Sequence, residues 1–206
     1  MFRIVLKLLV IYAFALPVAK ADTDNTVALA KAETLFPQRV DVEYKDESVA
    51  LFKTGSTIRK KYFLEIYAVA HYLEHAASID NGISGQQLLD DDGVKQISMK
   101  FLRDLKAGQI RKSLLASIRQ NTSEKEYAEM STDVESFLQA IDADVNKGDE
   151  FTVCWLPDGS LDAYYQGRQI SSINNARFSR SFWKIWFGEH AVVNPDVLLE
   201  QLRVRS

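Results

Sequence analysis

Apolar residues in this chain keep strand periodicity in one block, helix periodicity in a second and strand periodicity again in a third. That block order constrains its fold more than any other feature. After Val40, Val42 and Tyr44 alternate with charges, and Val49-Ala50-Leu51-Phe52 opens a second strand leading to Gly55. Residues 62–73 are rich in β-branched and aromatic side chains, the composition of a long, largely buried strand. A turn cluster at 78–82 and a short helix around 86–89 separate it from 94–102, where Ile97, Met99 and Phe101 fall on one face. Helical spacing then takes over. Ile110, Leu114, Leu115 and Ile118 form a stripe over 106–120, and Tyr127, Met130, Val134 and Phe137 face inward over a helix expected at 123–141. Ser123 with Glu126 supplies its capping box. Residues 150–156 and 161–165 flank Pro157-Asp158-Gly159-Ser160, a hairpin with ordinary turn chemistry. A helix is expected over 170–187, with Phe178, Phe182, Trp183, Trp186 and Phe187 on its apolar face and Gly188 ending it. Asn194-Pro195 starts a last short helix. Strands and helices grouped in this way, without βα alternation, predict an α+β fold over a doubly wound sheet.

Compartment and charge narrow the function. Arg3 and Lys7 precede an apolar run over 8–16, and Ala19-Lys20-Ala21 has the small-x-small pattern of a signal-peptidase site. The run is shorter than the roughly 20 residues that span a bilayer. We therefore expect residues 1–21 to be a cleaved signal peptide, 22–37 a loosely held arm, and 38–206 one exported, periplasmic domain with no integral membrane segment. Three of the 25 basic residues leave with residues 1–21 and none of the 28 acids does, so the remaining formal charge is 22 minus 28, or −6. That sign disfavours a nucleic-acid partner. Cys154 is the only cysteine, which excludes an internal disulfide, and beside Val153 and Trp155 it reads as a buried apolar residue.

The stretch GSTIRKKYFLEIYAVAHYLEH, residues 55–75, places Arg59-Lys60-Lys61 at the mouth of an apolar ribbon. A solvated turn and a cation aimed into a pocket are both open readings of that placement. His71-Tyr72-Leu73-Glu74-His75 spells H-x-x-E-H, but zinc ligation by that pattern needs a helix and a distant third ligand. On a β-branched strand it gives no metal site. Asp90-Asp91-Asp92-Gly93 lacks the ligand spacing of a calcium loop. No nucleotide or dinucleotide fingerprint occurs, so no cofactor is expected. Arg177, Arg180 and Lys184 flank the aromatic helix and read as surface charges.

The spacing of Gly55, Arg59, Lys60, Lys61, Tyr67, Tyr72 and Leu73 resembles the chalcone isomerase-like family, especially its bacterial secreted members. Tyr165-Gln166-Gly167 ahead of a helix, and Trp186-Phe187-Gly188 ahead of a closing one, extend the likeness over about residues 38–203. The resemblance implies a curved antiparallel sheet with helices packed on one face and a ligand cleft between them. It also implies that Arg59 matches the arginine that contacts substrate in the plant enzymes and holds a carboxylate in fatty-acid-binding members. A guanidinium suits both tasks, binding a carboxylate or stabilising a developing enolate. The enzymes' catalytic tyrosine and following asparagine belong in residues 104–117, where this chain has neither, and Ile110 stands about where the tyrosine would be. Tyr67 replaces a threonine on the long strand. Those departures favour binding over catalysis. The expected ligand is a small amphipathic anion such as a fatty acid, held by Arg59 and Tyr67 and lined by Ile66, Val69, Phe178 and Phe182. The alternatives are an intramolecular lyase, with Arg59 and Tyr67 as its catalytic residues, and a periplasmic protein-interaction module presenting an exposed aromatic patch.

Overall fold

The computed structural model describes residues 30–79 and 82–203. The expected signal peptide at 1–21, the arm's residues 22–29, and Asp80 and Asn81 of the turn cluster lie outside the described residues.

Seven strands form one antiparallel sheet in chain order: β1 (Arg39–Tyr44), β2 (Glu47–Lys61), β3 (Leu64–Leu73), β4 (Lys95–Phe101), β5 (Glu150–Trp155), β6 (Ser160–Tyr165) and β7 (Arg168–Asn174). Such a meander needs only hairpins or excursions between neighbours. A first helical stretch, α1, covers residues 30–35. The excursion between β3 and β4 carries a short 3-10 turn and α2 (Gly85–Asp90), capped by Ser84 with Gln87. The one between β4 and β5 carries α3 (Ala107–Gln120), α4 (Glu124–Glu129) and α5 (Ser131–Ala140). After β7 come α6 (Ala176–Phe187), α7 (Pro195–Leu198) and α8 (Glu200–Arg203). None of the described helices is long and apolar enough to cross a membrane.

Two expected elements differ. The helix at 170–187 is shorter, because residues 168–174 pair with β6 as an added strand. Ile170 and Ile173 bracket two serines, and β-branched residues and serines are weak helix formers that a ladder tolerates better than a helix interior. Asn175 then starts α6 by accepting from the Arg177 and Phe178 amides. The helix at 123–141 breaks at Met130, which is buried at φ −127° and ψ 12°. There the Ser131 hydroxyl donates to the Ala128 carbonyl, a side-chain bond that competes with the helical ladder.

The main core lies between the sheet and α6. Phe178, Phe182, Trp183, Trp186 and Phe187 are all buried, and Phe182 meets Phe137 of α5 edge-on at 4.9 Å. Each such ring contributes about 1.5–3 kcal/mol by leaving water. On the sheet's other face, Leu51, Ala70, Tyr72 and Cys154 form a second cluster, covered partly by Phe36 and the β1 side chains. The arm is held there at residues 30–37. Glu33 of α1 forms an ion pair of 2.8 Å with Lys53, which is 0% exposed, and Tyr72 donates to the Pro37 carbonyl at 2.9 Å. These contacts fasten residues 30–37 of the arm to the sheet. Its anchor is a buried ammonium that needs the Glu33 carboxylate and the Glu33 and Phe36 carbonyls.

Candidate functional site

β3 enters the sheet–helix layer with Tyr67, Val69, His71 and Leu73 on its inner face, and α6 covers them unevenly. Toward the Leu73 end, His71 stands 4.9 Å from the Phe187 ring, and the layer is closed. Toward Tyr67 it opens into a cavity of about 390 Å³, within the usual range of small-molecule sites. Ile66, Met99, Phe101 and Phe151 of the sheet form one wall. Ile110 and Leu114 of α3 and Ile185 and Trp186 of α6 form the other, with Ile141 and Val145 closing the side. Arg111 fixes that side by donating to the Ile141 carbonyl at 2.6 Å.

Few polar groups converge on this apolar space. Tyr67 lies opposite Arg59 in β2 and Phe101 in β4, and meets the Phe101 ring edge-on at 6.3 Å. Burial pushes its phenol up to about 12, opposed by the Trp186 indole beside it and by the Arg59 charge. The phenol is therefore a neutral hydrogen-bond donor at physiological pH. Two buried nitrogens of the lining residues, Trp186 Nε1 and Arg103 Nε, have no hydrogen-bond partner among the described residues. Both atoms are shielded from the open space of the cavity, and the indole lies against the Tyr67 phenol. Tyr165 is committed elsewhere: its hydroxyl donates to the Asp149 carboxylate, which pushes the phenol up to about 12. Lys61, Asp104, Asp142 and Arg168 are exposed lining residues, so the opening carries charges of both signs.

The structure brings Tyr67 and Ile66 into the lining and leaves the other expected site residues outside it. Arg59 is across the ladder from Tyr67, and its Nη1 donates to the Lys60 carbonyl at 2.7 Å. Val69 is fully buried beneath the helices, and Phe178 and Phe182 are fully buried against Phe137. They were expected at the ligand because the aromatic face of α6 was treated as one surface. Only its Ile185–Trp186 end reaches the cavity. The same burial leaves no exposed aromatic patch on α6. Arg103 was missed, although it continues the Ile97, Met99, Phe101 alternation by one further step of two.

The H-x-x-E-H residues serve the fold. His71 Nδ1 lies 2.7 Å from the Thr54 hydroxyl, and the Glu74 carboxylate accepts from the Val94 amide. Asp90 pairs with Arg180 at 2.8 Å, while Asp91 lies 3.4 Å from the buried Lys95. Arg177 pairs with Glu129 and Lys184 with Glu126. Among the described residues, no group of three or more potential ligands could hold a metal ion. Cys154 is buried and its thiol is pushed up to about 12, away from nucleophilic use.

Residues 28–198 match the family model described as chalcone isomerase-like. The chain belongs to the chalcone isomerase-like family. A search of curated protein sequences gives no match. The solved structures with a similar fold include the fatty-acid binding protein AtFAP1 of Arabidopsis thaliana, at a TM-score of 0.62 and 13% identity. The match covers 81% of this chain and 97% of that one. At that identity the likeness speaks for the fold: a curled antiparallel sheet with helices. Within the family frame, Ile110 and Ser117 line the cavity in the segment where the enzymes carry tyrosine and asparagine.

Proposed function

We propose that this protein binds a small amphipathic anion, a fatty acid being the chemistry that fits best, and that it does not catalyse isomerisation. One observation carries the reading: a mostly apolar cavity whose lining includes the Arg103 guanidinium and the Tyr67 phenol. A carboxylate pairs with that guanidinium and accepts from the phenol, while Ile110, Leu114, Met99 and Phe151 receive the chain. Arg103 is the principal anchor. Arg59, one position across the sheet from Tyr67, adds positive field. The fatty-acid binding of the similar Arabidopsis protein supports this reading by analogy. The lack of tyrosine and asparagine between 104 and 117 supports binding over ring closure.

The reading includes export: the charged, apolar and small-x-small order of residues 1–21 favours cleavage before Asp22 and a periplasmic protein. Mass spectrometry of the mature N-terminus tests that part, and an intact Met1 excludes it. For the ligand, native mass spectrometry should find a bound lipid, and palmitate titration should saturate while perturbing Trp186 fluorescence. No co-purifying ligand and no saturable palmitate binding would refute the proposal. Purified protein should give little or no cyclisation of a chalcone; robust Arg59-dependent turnover would restore the lyase alternative.

A further inference from the structure

The β2–β3 hairpin ends in Lys60-Lys61-Tyr62-Phe63-Leu64. Among the described residues, the exposed large hydrophobic side chains are Tyr62 and Phe63, each 88% exposed, and Leu64, at 40%. They are consecutive, so they form one apolar point on a surface otherwise free of such groups among the described residues. Turn chemistry does not require them. The ladder closes at Lys61 opposite Leu64, which leaves Tyr62 and Phe63 as a two-residue loop. Such loops favour glycine or asparagine, and Tyr62 is held at a φ of 56°, where a bulky side chain is strained. Two large aromatics at the outermost positions therefore lower local stability and need a role outside the fold.

Charge identifies the partner. Arg59, Lys60 and Lys61 directly precede the aromatics in a chain of formal net charge −3. Among the described residues, Glu65 beside them is drawn back by Lys31 of α1 at 2.5 Å. Aromatic rings at the point with lysines behind them match a bilayer interface. The rings enter the boundary between headgroups and acyl chains, while the ammonium groups stay among anionic headgroups. The hairpin also borders the cavity, because Lys61 and Leu64 belong to its lining. A tip seated in a bilayer thus sets the cavity opening against the lipid.

We propose that the β2–β3 tip docks this protein on an anionic lipid bilayer, where the cavity exchanges its amphipathic ligand with the membrane. Ligand exchange rests on the binding function proposed above; docking does not. Flotation of the full chain with vesicles tests docking. It should bind vesicles of equal phosphatidylglycerol and phosphatidylcholine, bind phosphatidylcholine alone at least tenfold less, and release in high salt. Tyr62→Ser/Phe63→Ser changes neither a core nor a lining residue. It should cut vesicle partitioning at least tenfold while leaving palmitate affinity in vesicle-free solution within about twofold. Equal partitioning of the wild type and the double variant overturns the proposal, as does failure of the wild type to float. Tip-dependent capture of a protein without vesicle binding also overturns it. A wild type that floats but binds no palmitate refutes the ligand function and leaves docking intact. Lys61→Glu keeps the aromatics and should weaken partitioning several-fold on anionic vesicles only.

Discussion

Tyr67 and His71 lie on the same face of the same strand, four residues apart, yet one borders a cavity and the other is sealed. At the sealed end, Phe187, Trp183 and α7 close over β3, and the Thr54 hydroxyl links the His71 ring to the Leu198 carbonyl at 2.7 Å. Gly55 permits that closure: a Cβ there would stand 2.2 Å from the Val197 carbonyl oxygen. At the open end, the Arg103 and Trp186 side chains line space that no protein group fills. Burial neutralises both titratable groups, raising the Tyr67 phenol and lowering the His71 imidazole to about 3. Both ends hold buried groups without partners. Chemistry at the Tyr67 end depends on room for an acceptor, which packing alone grants or withholds.

The contrast is broken most directly through stability. Phe182→Ala at the packed end should cost about 3–5 kcal/mol, read by chemical denaturation. Ile110→Ala at the open wall should cost under about 1 kcal/mol, because the void it enlarges already exists. Equal losses would deny any difference in packing.

Binding should respond in the opposite sense. A hydrogen bond to a charged group contributes about 1.5–3 kcal/mol, so Arg103→Met should weaken palmitate binding about ten- to a hundredfold. Its denaturation midpoint should stay near wild type, since no protein partner loses a bond to Arg103 Nε.

The pH dependence sharpens the picture of the sealed end. His71 keeps its neutral form down to about pH 3 in the folded state, whereas the unfolded chain takes up the proton near 6.5. The unfolded state then binds more protons as pH falls below about 6.5, so folding stability declines toward acid. The slope is up to about 1.4 kcal/mol per pH unit from this one group. In His71→Gln the dependence between pH 6.5 and 4 should be shallower by about one proton. An unchanged slope would mean that His71 is protonated in the fold.

The smallest expected effects fall between the two ends. Tyr67→Phe removes one neutral donor, worth about 0.5–1.5 kcal/mol, and should weaken palmitate binding about two- to tenfold. Arg59→Ala should lower it about two- to threefold and more at low salt, since its charge acts at a distance across the ladder. A loss for Arg59→Ala exceeding that for Arg103→Met would move the head-group anchor to Arg59.

By itself, the sequence determined the α+β class, the strands at β1 to β6, α3, and the family. Two-residue and 3.6-residue periodicities are local quantities, visible wherever one face is buried. It also marked the basic, aromatic tip, since a run such as Lys60-Lys61-Tyr62-Phe63 stands out without any fold. Tertiary structure decided what periodicity leaves degenerate. Residues 168–174 became a strand because β6 offered a free ladder, and Met130 broke a helix whose apolar spacing ran on without interruption. Structure likewise sorted α6, sending Phe178 and Phe182 into the core and Trp186 to the cavity. Alternation already placed Arg103 on the inner face behind Phe101. That its side chain would line a void, while Arg59 bonded to its own neighbour's carbonyl, depends on which side chains from distant segments fill the layer, a property of packing that no local pattern carries.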